Sequence, residues 1–207
     1  MKNIFKVCMI MTVCVIIFQA NVFAVTLLTK EQALKAMYPD INDIKTVSHT
    51  LSASEVAAIK EKMGGKLVHF QKGSQSAGVS EANSYDFYIG MKDGKAVRMA
   101  IIEEQPGKWG PVEFIIAIDA TTGKINNMAV MSYKEKRGRP IARANFLKQF
   151  FGKGDTDAIS VKSAKGVRKD IRAISGATIS SDCACFAAKK VVAIYNNVFK
   201  QIDLAQK

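Results

Sequence analysis

A series of short apolar segments joined by turn residues constrains the fold more than any other feature of this sequence. Five segments are predicted to be β-strands: residues 67–71, 85–91, 96–102, 112–118 and 124–131. Asp93-Gly94 is typical of a two-residue hairpin turn, and Thr121-Thr122-Gly123 forms a second turn between neighbouring segments. The apolar run at 112–118 predicts a strand that is buried on both faces. Strands connected this closely pair antiparallel, so the sequence predicts a mainly antiparallel sheet.

Two helices are predicted ahead of the sheet. Thr29 is a natural N-cap for the first helix, because its hydroxyl can accept a hydrogen bond from the first turn. Ser52 and Glu55 have the spacing of a capping box at the start of the second helix, and Gly64-Gly65 is expected to end it. These helices are expected to form a lead-in to the sheet rather than a domain of their own.

A long C-terminal helix is predicted to run to about residue 203. Its apolar positions recur at helical spacing: Ala184, Ala188, Val191, Val192, Tyr195 and Phe199. A shorter helix is predicted at residues 142–151, with Phe146, Leu147 and Phe150 on its apolar face. The predicted fold class is therefore α+β, a mainly antiparallel sheet flanked by helices. It comprises a helical lead-in at residues 25–66 and a main domain at residues 67–207.

The first 24 residues are predicted to be a secretory signal peptide. Two lysines precede an uncharged apolar run at residues 7–18, and Val22 and Ala24 occupy the positions expected for cleavage after Ala24. The alternative is an uncleaved membrane anchor at residues 9–28, a run only just long enough to span a bilayer. In either case the chain from Val25 onward is expected to be exported, to the periplasm or the outer face of the cytoplasmic membrane.

The formal net charge of +12 indicates a surface that attracts anions, such as phosphorylated cofactors, lipid headgroups or an acidic redox partner. Nucleic acid is not expected as a partner, because the chain has an export signal and no arginine-rich or aromatic-interleaved motif. No metal site is expected, because the two histidines are isolated and Cys183 and Cys185 would point to different faces of a helix. Both cysteines are expected to be buried as small apolar residues, and Glu103-Glu104 is interpreted as a solvated strand end.

The segment Ser175-Gly176-Ala177-Thr178 is the most suggestive of chemistry. It is a loop of small residues that opens the C-terminal helix, where backbone N–H groups lack partners and the helix dipole is positive. Such a helix start binds phosphate, and Thr178 places a hydroxyl beside that anion site. Positive potential is added upstream by Arg168, Lys169 and Arg172. From these residues alone, phosphate binding and a plain helix N-cap both stay open.

The same segment, extended to Ser181, resembles the flavinylation motif of the bacterial FMN-binding domain family. That family includes one component each of the sodium-pumping NADH:quinone oxidoreductase and of the Rnf electron-transport complex. Further similarity follows in the family's order: the turn at Trp109-Gly110-Pro111-Val112 and its hairpin, the loop at 133–138 with Glu135, and the helix before Gly152-Lys153. The resemblance extends over roughly residues 85–197.

The resemblance implies that FMN is bound covalently, its phosphate esterified to Thr178 by a separate flavin transferase that uses FAD as donor. It also implies cofactor-binding roles for Ser175, Gly176, Ala177, Ser180, Trp109, Gly110, Pro111 and Glu135. Trp109 and Tyr133 are candidate aromatic walls for the isoalloxazine ring, with ordinary packing as the alternative for each. The family pattern has aspartate three residues before the motif, where this chain has Arg172.

The predicted function is electron transfer by an exported FMN protein. The chain is expected to be a carrier more than an enzyme on its own, because the sequence shows no clear catalytic acid or base. Its expected partners are the flavin transferase and redox proteins of the membrane or the extracytoplasmic space. Two alternatives stay open: a flavin-dependent reductase of a small extracytoplasmic substrate, and a flavin-free module that docks through its basic surface. The residue that favours the second alternative is Arg172.

Overall fold

The computed structural model describes residues 24–75, 78–135, 139–161 and 171–202. Within these ranges the strands are β1 (Val25–Thr26), β2 (Asp43–Thr50), β3 (Ser84–Lys92), β4 (Lys95–Pro106), β5 (Pro111–Asp119) and β6 (Ile125–Tyr133). The α-helices are α1 (Lys30–Met37), α2 (Ala53–Lys62), α3 (Ala144–Leu147) and α4 (Thr178–Asn197). The strands form one antiparallel sheet of order β1-β6-β5-β4-β3-β2, which confirms the predicted α+β class. Most of the predicted signal peptide, residues 1–23, lies outside the described ranges.

The two predicted turns are confirmed, and they fix the order of the central strands. Asp93 (φ 51°) and Gly94 (φ 72°) between β3 and β4 both adopt left-handed backbone, as the favoured two-residue hairpin turn requires. Between β5 and β6, the Asp119 Oδ1 accepts hydrogen bonds from the backbone N–H groups of Thr121 (3.0 Å) and Thr122 (2.7 Å). With the short connection between β4 and β5, these turns produce an antiparallel meander.

The sheet is covered on both faces, so the fold has three layers. The larger apolar core lies between one face and helices α2 and α4, and the smaller core lies between the opposite face and α1. Strand β5 contributes to both, since Phe114 and Ile116 face the larger core while Ile115 and Ala117 face the smaller one. All four side chains are fully buried, which confirms the predicted burial of this strand on both faces.

The prediction of a strand at residues 67–71 is wrong, because this segment has an irregular backbone. Its polar groups bond to a side chain of β4 rather than to a neighbouring strand. The Gln105 Nε2 donates to the Leu67 carbonyl (2.9 Å), and the Gln105 Oε1 accepts from the His69 N–H (3.2 Å). The Gln105 amide therefore satisfies the backbone that a sheet ladder would otherwise satisfy.

Two strands that the sequence does not predict lie within the expected helical lead-in. Both predicted helices of that segment are present, and Thr29 and Ser52 cap them in capping boxes. Between them, β2 pairs with β3 along its full length at the edge of the sheet. Only Ile44, Val47 and His49 of β2 are half-buried, so the strand has no apolar run for a pattern to reveal.

The helix predicted at residues 142–151 is broken into one α-turn, α3, flanked by the 3-10 turns Arg139–Ala142 and Lys148–Phe150. Hydrogen bonds to the third preceding residue are typical of this segment, such as that from the Phe146 N–H to the Arg143 carbonyl (3.0 Å). Phe146, Leu147 and Phe150 are nevertheless all buried in the larger core, as predicted. Core packing of these side chains, rather than helical propensity, fixes the backbone here.

Helix α4 ends at Asn197, about six residues earlier than predicted, and a 3-10 turn at Phe199–Gln201 follows. The side-chain amides of Asn196 and Asn197 donate back to the carbonyls of Val192 (3.0 Å) and Ala193 (2.8 Å) and so compete with helix continuation. The predicted apolar positions of this helix are confirmed as buried: Ala184, Ala188, Val191, Val192, Tyr195 and Phe199.

Candidate functional site

The Ser175-Gly176-Ala177-Thr178 segment folds as a tight turn that leads directly into α4. The Ala177 N–H donates to the Ile174 carbonyl (3.0 Å), and Gly176 adopts a left-handed φ of 75°, which glycine tolerates best. Ala177 is the N-cap residue, no described side chain caps the helix, and Thr178 is its first residue. Neither Ser175 nor Thr178 is therefore the N-cap of α4.

The Thr178 side chain is exposed, whereas the turn before it is tied to the helix. The Ser181 Oγ accepts a hydrogen bond from the Ile174 N–H (3.0 Å) and donates one to the Ala177 carbonyl (2.9 Å). The N–H groups of the first helical residues have no partner within a helix and carry the positive end of its dipole. Thr178 thus presents an accessible hydroxyl beside a helix start suited to an anion.

A cavity of about 510 Å³ opens beside this helix start. Its lining comes from the β4–β5 turn, the loop after β6 and the beginning of α4: Lys108, Trp109, Glu135, Gly176, Ala177, Thr178, Ile179 and Ser180. Small-molecule and cofactor sites usually have volumes of about 300–1,000 Å³, so the cavity is large enough for such a ligand.

Two glycines allow the β4–β5 turn to approach its neighbours closely. The Gly107 N–H donates to the Gly110 carbonyl (2.9 Å), which closes the turn around Trp109. A Cβ at Gly107 would overlap the Glu135 Oε1, and one at Gly110 would lie 2.5 Å from the Lys134 Cβ. A side chain at either glycine would therefore displace the cavity wall that carries the half-buried Trp109 ring.

Glu135 connects this turn to the start of α4. Its Oε1 accepts a hydrogen bond from the Trp109 N–H (3.0 Å), and its Oε2 accepts one from the Ser180 Oγ (3.0 Å). The carboxylate is buried, with 7% of the residue exposed, so both hydrogen bonds are shielded from water. Glu135 therefore fixes the distance between the Trp109 wall and the helix that begins at Thr178.

Six of the nine predicted cofactor-binding residues line the cavity: Trp109, Glu135, Gly176, Ala177, Thr178 and Ser180. The other three lie outside the lining. Gly110 is buried in the β4–β5 turn, Pro111 begins β5, and Ser175 is exposed in the turn before α4. Tyr133, the second candidate wall, packs in the larger core with 4% exposure instead of lining the cavity. The binding roles of all nine residues stay predictions.

The lining residues Lys108 and Ile179 are not predicted from the sequence. Their adjacency to Trp109 and Thr178 is the signal that could have found them. Of the basic residues expected upstream, Arg172 is exposed and lines a separate cavity of about 520 Å³. Outside the described residues lie Arg168 and Lys169.

A buried ion pair lies between β4 and α4, and it corrects the interpretation of Glu103-Glu104 as a solvated strand end. Glu104 is exposed, but Glu103 is only 2% exposed and accepts hydrogen bonds from the Lys190 Nζ (2.8 Å) and the Gln105 Nε2 (2.6 Å). Burial raises the pKa of the Glu103 carboxyl, and the Lys190 ammonium opposes that rise. Because β4 extends past Glu103 and Glu104 to Pro106, the strand is longer than the apolar run at 96–102 predicts.

Cys183 and Cys185 are free thiols buried in α4, as expected of small apolar residues. Burial raises the pKa of both thiols, which disfavours the reactive thiolate. Across the ranges that the structure describes, no three His, Cys, Asp or Glu residues lie together as a metal site would require. Among the same residues, no helix combines the length and the apolar character that a membrane span needs.

Comparison with known proteins places this cavity in a protein family. The model of the FMN-binding domain family matches residues 107–193, a range that includes the β4–β5 turn, Glu135 and the start of α4. This part of the chain is therefore similar to the FMN-binding domain family. The whole cavity lining, from Lys108 to Ser180, lies within the matched range.

Relatives of the chain are found among components of oxidoreductases. The component designated G of the proton-translocating ferredoxin:NAD(+) oxidoreductase complex of Clostridium ljungdahlii is 27% identical over 136 residues, which are 61% of this chain and 72% of that protein. The crystal structure of Shewanella oneidensis NqrC matches with a TM-score of 0.51 and 16% identity, over 86% of this chain and 90% of that chain. The component designated C of the Na(+)-translocating NADH-quinone reductase of Parabacteroides distasonis matches with a TM-score of 0.51 and 18% identity, over 85% and 86% of the two chains. The two solved structures share the fold of this chain.

The residues around the cavity fit the chemistry of FMN. The start of α4 offers N–H groups and a positive dipole for the phosphate, with the Thr178 hydroxyl beside them. The Trp109 ring offers an apolar face on which a planar ring can stack. The start of a long helix and an aromatic side chain therefore lie together in one cavity.

Proposed function

We propose that this chain is an exported electron-transfer protein whose FMN phosphate is esterified to the Thr178 hydroxyl. The observation that carries the proposal is the position of Thr178, which is exposed, begins α4 and lines the cavity that also contains Trp109. A modifying enzyme can reach a hydroxyl in this position. A flavin joined to it would have the cavity directly beside its point of attachment.

The attachment reaction needs a hydroxyl nucleophile and an activated phosphate. With FAD as the donor, the Thr178 Oγ attacks the phosphorus of the FMN half, and the anhydride bond to the adenylate half breaks. AMP leaves, and the hydroxyl proton passes to a base of the flavin transferase. The resulting phosphodiester keeps one negative charge, which the N–H groups at the start of α4 offset.

The remaining residues of the site bind and orient. Bound FMN would supply one- and two-electron chemistry, which lets a carrier link donors and acceptors of both kinds. The Trp109 ring supplies an apolar wall, and the helix start holds the phosphodiester. Glu135 keeps this wall and this anchor at a fixed spacing, because it accepts hydrogen bonds from Trp109 and Ser180 together.

A carrier is favoured over a reductase of a small substrate. Such a reductase needs an acid or base that can exchange a proton with its substrate. Among the described lining residues, Glu135 has the one carboxyl group, and both of its oxygens already accept hydrogen bonds within the protein, while the ammonium of Lys108 lies over the Trp109 ring. The flavin-free docking module is favoured by a single observation, the exposed Arg172 where the family has aspartate.

The proposed partners are a flavin transferase and redox proteins at the membrane. The relatives are named as components of proton- and sodium-translocating oxidoreductases, whose work takes place across a membrane. Residues 1–24 have the pattern of a signal peptide or an anchor, which supports a location on the outer face of that membrane. A phosphoester bond suits this location, because it prevents loss of the cofactor where free FMN is not supplied.

Co-expression with a flavin transferase, followed by a denaturing gel, tests the proposal. Esterified flavin stays with the protein band and fluoresces, whereas non-covalent flavin is lost. We expect fluorescence for the wild type and for Thr178→Ser, which keeps a hydroxyl, and none for Thr178→Val, which has a similar volume without one. We also expect a larger flavinylated fraction for Arg172→Asp. Fluorescence that survives Thr178→Val would overturn the attachment point, and a dark band for both the wild type and Arg172→Asp would favour the flavin-free module.

A further inference from the structure

The cavity wall carries two charged side chains, one hydrogen-bonded within the protein and one without an ion-pair partner among the described residues. Glu135 is buried, and both of its oxygens accept hydrogen bonds from Trp109 and Ser180. Lys108 is half-buried, and among the described residues no carboxylate lies within 4.0 Å of its ammonium. The Lys108 Nζ lies over the Trp109 ring, 5.3 Å from its centroid. Among the described residues, therefore, no acid forms an ion pair with Lys108.

The backbone holds Lys108 at this position. The Lys108 carbonyl accepts a hydrogen bond from the Gln75 N–H (2.6 Å), and the Gly107 N–H to Gly110 carbonyl bond closes the turn on the other side. The next residue, Trp109, is fixed through its N–H by Glu135. The backbone of Lys108 is thus fixed at the aromatic wall of the cavity, and its ammonium lies over the Trp109 ring, where a bound isoalloxazine ring would meet it.

We propose that Lys108 raises the reduction potential of the flavin at this site; this inference rests on the proposed function. Two electrons from the redox donor and one proton from solvent convert the uncharged oxidised ring into its reduced anion, so the ring gains one negative charge. A cation on the cavity wall stabilises that charge by Coulomb attraction, and the attraction is strong where protein excludes water. The reduced form is therefore favoured by Lys108, and the oxidised form is affected much less.

The chain offers a matched control for this effect. Lys200 also lies over an aromatic ring, with its Nζ 5.2 Å from the Tyr195 centroid. It follows the C-terminal end of α4, and a helix of 20 residues is about 30 Å long. That distance exceeds the Debye length of about 8 Å at physiological salt, so a charge at Lys200 should not affect the cavity.

Reductive titration of the flavinylated protein with dithionite, against an indicator dye of known potential, tests the proposal. We expect Lys108→Gln to lower the ratio of reduced to oxidised flavin about tenfold at a given potential, a shift of about 30 mV for a two-electron couple. Lys108→Arg, which keeps the charge, and Lys200→Gln should both titrate like the wild type.

Flavin content is measured first, on a denaturing gel, so that two failures are told apart. A band without flavin in the wild type would overturn the proposed function and this inference with it. Full flavin content with an unchanged potential in Lys108→Gln would overturn the role of Lys108 alone. A loss of flavin content in Lys108→Gln without a shift in potential would also overturn it, because that result assigns Lys108 to holding the phosphate.

Discussion

Among single residues, Glu135 has the central position in the cavity wall. One buried carboxylate accepts hydrogen bonds from the Trp109 N–H and the Ser180 hydroxyl, which belong to different elements of the fold. A buried donor that loses its acceptor destabilises a protein by about 1–3 kcal/mol. The stability of this part of the chain and the spacing of the cavity walls therefore depend on the same side chain.

Glu135→Ala should lower the free energy of unfolding by about 2–4 kcal/mol, because it leaves the Trp109 N–H and the Ser180 hydroxyl without their acceptor. It should also reduce the flavinylated fraction, since Trp109 and the start of α4 lose the side chain that contacts both of them. Glu104→Gln, at an exposed position of β4, is the control, and its change should stay within about 0.5 kcal/mol. Urea unfolding measures both, and equal stabilities for the two variants would contradict the role given to Glu135.

At the scale of elements, the β5–β6 turn depends on one carboxylate. The Asp119 Oδ1 accepts three hydrogen bonds, from the N–H groups of Thr121 and Thr122 and from the Thr122 hydroxyl (2.9 Å). Partial burial acts to raise the pKa of Asp119, but the hydrogen bonds from Thr122 and Thr121 outweigh it and hold the pKa below its usual value. The folded chain therefore binds this proton less tightly than the unfolded chain does.

Because the pKa of Asp119 is lower in the folded chain, its ionised carboxylate stabilises the fold at pH values above the pKa of the unfolded chain, about 3.9. This stabilisation is lost as the pH falls through the pKa of the folded chain. Asp119→Asn keeps an acceptor oxygen but cannot ionise, so it should be less stable than the wild type by about 1 kcal/mol at pH 7. The difference should shrink as the pH falls below about 4. Denaturant unfolding from pH 7 to pH 3 measures it, and a difference that stays constant over this range would contradict the account.

The contact between β4 and α4 contains the buried pair of Glu103 and Lys190, whose side chains are 2% and 1% exposed. Removing one partner leaves the other charge buried, so Lys190→Met should destabilise the chain by about 3–5 kcal/mol. The double variant Glu103→Leu with Lys190→Met should recover most of that loss, because no unpaired charge remains. Thermal or urea unfolding of the single and double variants measures the coupling free energy between Glu103 and Lys190.

The control for this pair is Lys60 with Glu81, which lie 2.9 Å apart on the surface with side chains 35% and 50% exposed. Lys60→Met should change stability by less than about 1 kcal/mol, since exposed ion pairs contribute little. Additive effects of the Glu103 and Lys190 substitutions, without recovery in the double variant, would show that the pair is not coupled across this contact.

The sequence predicts the elements whose signals are local and misses those that depend on distant partners. Asp93-Gly94 and the capping residue Ser52 specify their own turn and helix start, so both are correct. Strand β2 forms only because β3 supplies a hydrogen-bonding edge, and its half-buried residues give no pattern. The prediction of a strand at 67–71 fails for the opposite reason, because the Gln105 side chain forms hydrogen bonds with the backbone of this segment in place of a neighbouring strand.

The candidate site follows the same rule. Thr178 and Trp109 could be found from the sequence, because each lies in a short segment that resembles a motif of the FMN-binding domain family. Lys108 has only its adjacency to Trp109 as a sequence signal, and the fold is needed to place it over the Trp109 ring in a cavity. The burial of Glu103 was also beyond the sequence, because its partner Lys190 lies 87 residues away.

At the scale of the whole molecule, the sheet brings three distant stretches of chain to one cavity. Strands β4 and β6 lie on either side of β5 and both pair antiparallel with it, so they run in the same direction. Their C-terminal ends meet at the same end of the sheet, which places Trp109 and Glu135 together although 26 residues separate them. Helix α4 begins at this end and buries its apolar face along the larger core. The cavity is therefore framed by sheet and helix, with the exposed Thr178 in its lining.

The attachment of flavin to Thr178 is the central claim, and peptide mass spectrometry tests it most directly. Trypsin cleaves after Arg172 and Lys189, which releases residues 173–189 with the motif intact. After co-expression with a flavin transferase, this peptide should gain the mass of one FMN less one water, and fragmentation should assign the gain to Thr178. An unmodified peptide, or a gain assigned to Ser175 or Ser180, would contradict the account.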